Sequence, residues 1–179
     1  MVLCLDRAGL VGADGPTHHG AFDISYLRCI PNLTIASPLN EMELRNLMYT
    51  AQLFGKGTFV IRYPRGGGEG VEWKGTPMTE IPVGKGVELK KGSKVAVLSV
   101  GPIGNTVMKA VESLGVDADA VGVYDMRFIK PLDTALLDDV FKNYKSIVTV
   151  EDGSLKGGFG SAVLEYMADS GCSLPVKRI

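Results

Sequence analysis

The chain has 179 residues and a formal net charge of -1, with 19 Lys and Arg against 20 Asp and Glu. That length suits one large domain or two small ones, and the even charge balance gives no footprint for nucleic acid or an anionic membrane as partner. Cys4, Cys29 and Cys172 show no C-x-x-C spacing, which argues against a disulfide framework or a cysteine zinc site and fits reduced thiols in a cytoplasmic protein.

No apolar run reaches membrane-spanning length, and Met1 to Leu5 lacks the basic start and long apolar core of a signal peptide. Val2 to Leu5 instead predicts a strand. A Gly-rich loop follows from Gly9 to Gly20, then a short helix around Phe22 to Cys29. Leu33 to Ala36 is the next predicted strand. Ser37-Pro38 signals a helix start, with Asn40 and Glu43 spaced as a capping box. Leu44, Leu47, Met48, Ala51 and Phe54 give that helix one apolar stripe, closed by Gly55 and Gly57. Thr58 to Tyr63 predicts a third strand.

Residues 66–80 are rich in Gly and lack periodicity; they read as a linker, and the composition fits a mobile loop as well. The second part is more regular. Strands are predicted at Val95 to Val100, Ala120 to Tyr124 and Ile147 to Val150, with a last one beginning at Pro175. Between them run helical stripes: Ile103, Val107, Ala110, Val111 and Leu114; then Leu136, Leu137, Val140, Phe141 and Tyr144, capped by Asp133; then Phe159, Ala162, Val163, Tyr166 and Met167. Continuous apolar strands alternating with amphipathic helices predict an α/β fold of two three-layer α/β/α blocks, residues 1–65 and 81–179, with mostly parallel sheets.

Ligands of such sheets bind at the carboxyl ends of the strands. Arg7 follows the first strand and Arg65 the third, so Arg7, Asp14, His18 and Arg65 are placed along one edge. Two arginines there can clamp a phosphate, a histidine can exchange a proton near neutral pH, and a carboxylate can accept from a hydroxyl. Each residue also has a plainer role: solvated arginines, a turn-starting Asp14 in Ala-Asp-Gly-Pro, and exposed histidines at His18 and His19. Spacing alone leaves both open. Gly157-Gly158-Phe159-Gly160 before a helix likewise fits a phosphate loop, but close backbone packing is preferred.

The strings themselves go further. Asp6-Arg7-Ala8-Gly9, Gly12-Ala13-Asp14-Gly15-Pro16-Thr17-His18-His19-Gly20, Ser25-Tyr26-Leu27-Arg28 and Arg62-Tyr63-Pro64-Arg65-Gly66 resemble the 1-deoxy-D-xylulose-5-phosphate synthase family. These are thiamine-diphosphate enzymes of the transketolase superfamily. Asp125 to Asp133, Val150 to Gly153 and Gly157 to Ser161 fit as well, so the resemblance covers essentially the whole chain. Asp-Gly-Pro-Thr-His occurs across the superfamily. Asp-Arg-Ala-Gly and Gly20 point to the synthase, because transketolases proper usually carry proline where Gly20 stands.

The resemblance implies a parent enzyme that condenses pyruvate with glyceraldehyde 3-phosphate, with loss of carbon dioxide, for isoprenoid and thiamine precursor synthesis. Arg7 and Arg65 become the phosphate clamp, Asp14 a substrate-hydroxyl contact, and His18 the residue that hydrogen-bonds or protonates the reacting oxygens. His19 receives no role. Residues 1–65 correspond to part of a pyrimidine-binding domain, 66–80 to a linker, and 81–179 to a shortened C-terminal domain. The parent uses thiamine diphosphate and Mg2+, and is implied to be a homodimer. The Gly-Asp-Gly motif for the diphosphate and metal is absent, and the first Glu, Glu41, lies downstream of where the ring-activating Glu belongs. An isolated piece is therefore expected to be inactive and to bind no cofactor. The alternatives are the C-terminal half of a split transketolase or a 2-oxo acid dehydrogenase β subunit, and a non-catalytic assembly module.

Overall fold

A computed structural model describes residues 1–53, 55 and 57–179. Nine strands and five α-helices build two sheets among the described residues. In the first part β1 (Val2–Leu5), β2 (Leu33–Ala36) and β3 (Thr58–Arg62) are joined through α1 (Asp23–Arg28) and α2 (Glu41–Leu53). The three strands are parallel, with β3 in the middle. Such βαβ connections demand crossovers, and the helices supply them.

The second part holds β4 (Val87–Lys90), β5 (Val95–Val100), α3 (Ile103–Glu112), β6 (Val121–Asp125), β7 (Phe128–Lys130), α4 (Thr134–Asn143), β8 (Ser146–Glu151), α5 (Phe159–Asp169) and β9 (Val176–Arg178). Its sheet runs β4-β6-β5-β8-β9, parallel except for β4. The strand periodicity of two divides its apolar residues between faces. Val97, Val123 and Val150 pack on Val107 and Val111 of α3. Ala96, Leu98 and Ile147 face Leu137 and Val140 of α4 and Phe159 and Val163 of α5. The layered α/β architecture expected from the alternation is present.

Two strands were invisible to that pattern. β4 is a short edge strand that pairs antiparallel with β6. β7 leaves its own block altogether and pairs antiparallel with β2, extending the first sheet to β1-β3-β2-β7. The blocks therefore share a sheet, and one apolar cluster runs from Ile24, Ile35 and Val60 into Leu98, Met126 and Phe159.

Residues 66–80 form neither helix nor strand and are strapped along α2. Glu41 accepts from the amides of Glu69 and Gly70, and Arg45 donates to the carbonyls of Trp73, Thr76 and Pro77. Asn46 and Thr50 take the amides of Thr79 and Ile81. The capping signal also proves nearly right. Asn40 Oδ1 accepts from Glu43 N, but Glu43 reaches back to Leu39 N rather than to Asn40. Phe54, the last residue of the expected α2 stripe, lies outside the described residues.

Candidate active site

The carboxyl ends of β1 and β3 bring three of the four candidate residues into direct contact. Arg7 leaves β1 in the left-handed region, at φ 64°, where a non-glycine residue costs about 1–3 kcal/mol. Its Nε donates to Asp14 Oδ2 at 2.7 Å, and Arg65 Nη1 lies 2.9 Å from Asp14 Oδ1. Asp14 thus bridges the two guanidiniums, one oxygen to each. Arg7 Nη1 also pairs with Asp6.

Asp14 was assigned a substrate hydroxyl, yet both its oxygens are already engaged. Arg7 holds its carboxyl below the usual range through the hydrogen bond; partial burial opposes that, and the charges of Arg65 and His18 add to it. Arg7 Nη2 and the Nε and Nη2 of Arg65 have no protein acceptor among the described residues. Both side chains remain open to solvent, at 34% and 47% exposure. Two partly used guanidiniums held together in this way can fork onto a phosphate.

His18 is exposed, on a 3-10 turn over Pro16–His18, with its Nδ1 3.0 Å from Thr17 Oγ1. It is near enough to act on the Asp14 charge but makes no hydrogen bond to the three-residue cluster. His19, which had no role, pins the loop: its Nδ1 accepts from Val11 N at 2.9 Å.

The loop closes on itself through Gly20. Gly20 N donates to Arg7 O at 3.0 Å, and Gly9 N donates to Gly20 O at 3.1 Å. A Cβ at Gly20 would stand 2.6 Å from the Arg7 carbonyl oxygen. Proline there would lose the donor as well as clash. The residue that separated the synthase resemblance from transketolases proper therefore has a local structural reason in this chain.

Two groups escaped the sequence. Arg62 is 1% exposed at the end of β3 and donates to Asp23 Oδ2 at 2.7 Å, to Gly20 O at 2.9 Å and to Asp152 O. Its sequence signals were its place at the head of the Arg62 to Gly66 string and a charge near the end of an apolar strand run. Glu151 accepts from the amides of Phe159 and Gly160 at 2.7 and 2.9 Å. Its carboxylate fills the N-terminus of α5, so the Gly157 to Gly160 turn is closed by protein rather than open to a phosphate.

A family model for the transketolase pyrimidine binding domain matches residues 1–69, and one for the transketolase C-terminal domain matches residues 84–179. Among curated relatives, the 1-deoxy-D-xylulose-5-phosphate synthase of Bacteroides thetaiotaomicron is 61% identical over the whole chain. That of Gloeothece citriformis is 46% identical over 98% of it. The chain spans about 28% of the length of these relatives. A solved structure described as a split gene transketolase, inactive beta4 tetramer, aligns over 99% of this chain and 56% of its own, with a TM-score of 0.84 and 28% identity.

Proposed function

Because the chain belongs to the transketolase family, we propose that it supplies the acceptor-aldehyde side of a 1-deoxy-D-xylulose-5-phosphate synthase active site. The convergence of Arg7 and Arg65 on Asp14, at the carboxyl ends of β1 and β3, carries this reading. The free N–H groups of the two arginines bind the phosphate of glyceraldehyde 3-phosphate. Asp14 sets their separation and exchanges part of its bonding for a substrate hydroxyl as the phosphate arrives. His18, exposed and on the same loop, gives a proton to the aldehyde oxygen as the new carbon–carbon bond forms.

Thiamine diphosphate, when bound, supplies the electron sink for decarboxylation of pyruvate. Among the described residues no three His, Cys, Asp or Glu side chains gather as a cation site, and this reading leaves Mg2+ and the diphosphate to the rest of the parent enzyme. No step is assigned to this chain through them. The proposal accordingly makes the 179 residues inactive alone, as one part of a cytoplasmic, homodimeric, thiamine-diphosphate-dependent transferase. Within it, residues 1–65 serve the pyrimidine-binding unit, 66–80 the linker and 81–179 the C-terminal unit. Identity of 46–61% to synthases, against 28% to the split transketolase, favours this over the transketolase alternative.

The test is titration of the chain with glycerol 3-phosphate, a stable analogue of the aldehyde, followed by NMR. Arg7→Ala and Arg65→Ala should each weaken binding by about tenfold or more, a loss of about 1.4 kcal/mol or more. Binding that is indifferent to both substitutions would overturn the clamp. Turnover of pyruvate and glyceraldehyde 3-phosphate by the isolated chain would overturn its inactivity.

A further inference from the structure

Arg62 lies three residues before Arg65 on the segment that leaves β3, so whatever Arg62 holds is held in register with Arg65. It holds the far end of the acceptor loop. Its Nη2 donates to Gly20 O, and Gly20 in turn bonds Arg7 O and Gly9 N through its own amide and carbonyl. Its Nε takes Asp23, the first residue of α1. The same Nη2 reaches across to Asp152 O, in the turn after β8 of the second block. That turn makes two more contacts with the loop. Ser154 N donates to Ala21 O at 2.8 Å, and the Asp152 carboxylate occupies the space where a Cβ on Gly9 would stand, 1.8 Å from Oδ2.

We propose that Arg62 is a positioning residue for the Arg7–Asp14–Arg65 clamp, and that the Asp152–Ser154 turn of the second block is its anchor. The inference rests on the reading of that cluster as the acceptor-phosphate site. The second block then does more than support assembly: it fixes the distance between the loop that carries Arg7, Asp14 and His18 and the strand end that carries Arg65. Arginine suits the task because one planar fork presents donors in several fixed directions, whereas lysine is a point charge on a flexible stem. Positioning matters because a misplacement of about 1 Å can cost about 100-fold in rate.

A purely structural Arg62, there only to neutralise Asp23, makes a different prediction from a positioning Arg62. Arg62→Gln separates them in the whole chain by two measurements. The first is the titration of the Asp14 carboxyl by carbon NMR. The second is amide exchange at Gly9 and Gly20, compared with Ile35 and Val60. Positioning predicts that the Asp14 midpoint moves up toward the ordinary carboxylate range as its pairing with Arg65 loosens. Gly20 exchange should accelerate about tenfold more than exchange at Val60, and glycerol 3-phosphate affinity should fall about tenfold. An unchanged Asp14 midpoint with unchanged Gly20 protection in the folded variant overturns the proposal. Should Arg62→Gln not fold, Ser154→Pro removes the amide held by Ala21 O with Arg62 intact, and the same pair of outcomes decides. Arg65→Ala distinguishes the two ideas: intact glycerol 3-phosphate binding there sinks the clamp reading, whereas Asp14 and Gly20 report on positioning alone.

Discussion

Arg62 and Arg127 both join the two blocks, but the sites they occupy are balanced differently. Arg62 faces one carboxylate, Asp23, and two carbonyls, and every partner is satisfied within the protein. Arg127 Nε donates to Glu43 Oε1 at 2.7 Å, and its Nη2 lies 2.6 Å from the same oxygen. Its amide takes Asp125 Oδ1 at 3.0 Å. That cluster has two carboxylates for one guanidinium, and Asp125 Oδ2 is buried with no hydrogen-bond partner among the described residues. Burial first, and then the Glu43 charge, push the Asp125 carboxyl well above its usual range, which favours its protonated form. A closed ion pair next to the acceptor loop holds geometry. An over-acid cluster behind α2 favours a bound proton instead.

The largest effect should come from breaking the balanced site. Asp23→Ala strips the buried Arg62 of its counter-ion and removes the acceptor of Ile24 N. Leaving such a charge uncompensated costs about 3–5 kcal/mol, and denaturant unfolding would show it as a lowered midpoint. A loss under about 1 kcal/mol would mean that the Gly20 and Asp152 carbonyls suffice for Arg62 and that the contrast with Arg127 is weaker than drawn.

The second site should respond in the opposite sense. The folded-state pKa of Asp125 lies above the unfolded value, so its contribution to stability is full below the unfolded pKa and declines as pH rises toward the folded one. Asp125→Asn keeps an oxygen for Arg127 N and cannot ionise. Relative to the parent it should be within about 1 kcal/mol at pH 5 and gain as pH increases to 8, measured by denaturation at both values. A difference between variant and parent that stays flat from pH 5 to 8 would show that Asp125 is already ionised when folded. Asp14 runs the other way, because its lowered pKa makes the clamp pairing available above the unfolded pKa and lost as acid titrates the folded form.

This contrast also marks where the sequence stopped being legible. Strands of four to six apolar residues and the stripes of α2 to α5 stand out because periodicity accumulates over several turns. β7 does not, since Phe128–Lys130 is three residues long and its partner strand is nearly a hundred residues away. Arg7, Asp14 and Arg65 were legible because strand ends select positions and because the motif resemblance added weight. The bridging of both arginines by Asp14 was not, because it depends on the left-handed turn at Arg7. Arg62 was quoted within its motif but passed over, since its acceptors at Gly20 and Asp152 are carbonyls, and a carbonyl leaves no trace in residue identity.

The linker offers the smallest and most selective test. Arg45 ties Trp73, Thr76 and Pro77 to α2 and stacks 5.9 Å from the Trp73 ring centroid, while its own Nε is buried without a partner among the described residues. Arg45→Ala loses those bonds but also removes the orphaned donor, so the net change in global stability should be under about 1 kcal/mol. Residues 66–80 carry few other ties near Trp73, so their local opening should rise much more, with limited proteolysis there faster by about tenfold. Unchanged proteolysis would place the hold on the linker with Glu41 and Thr50 instead. Faster proteolysis with an intact Asp14 titration would show that the strap and the acceptor loop open independently, which is what separate anchors on α2 and on the second block require.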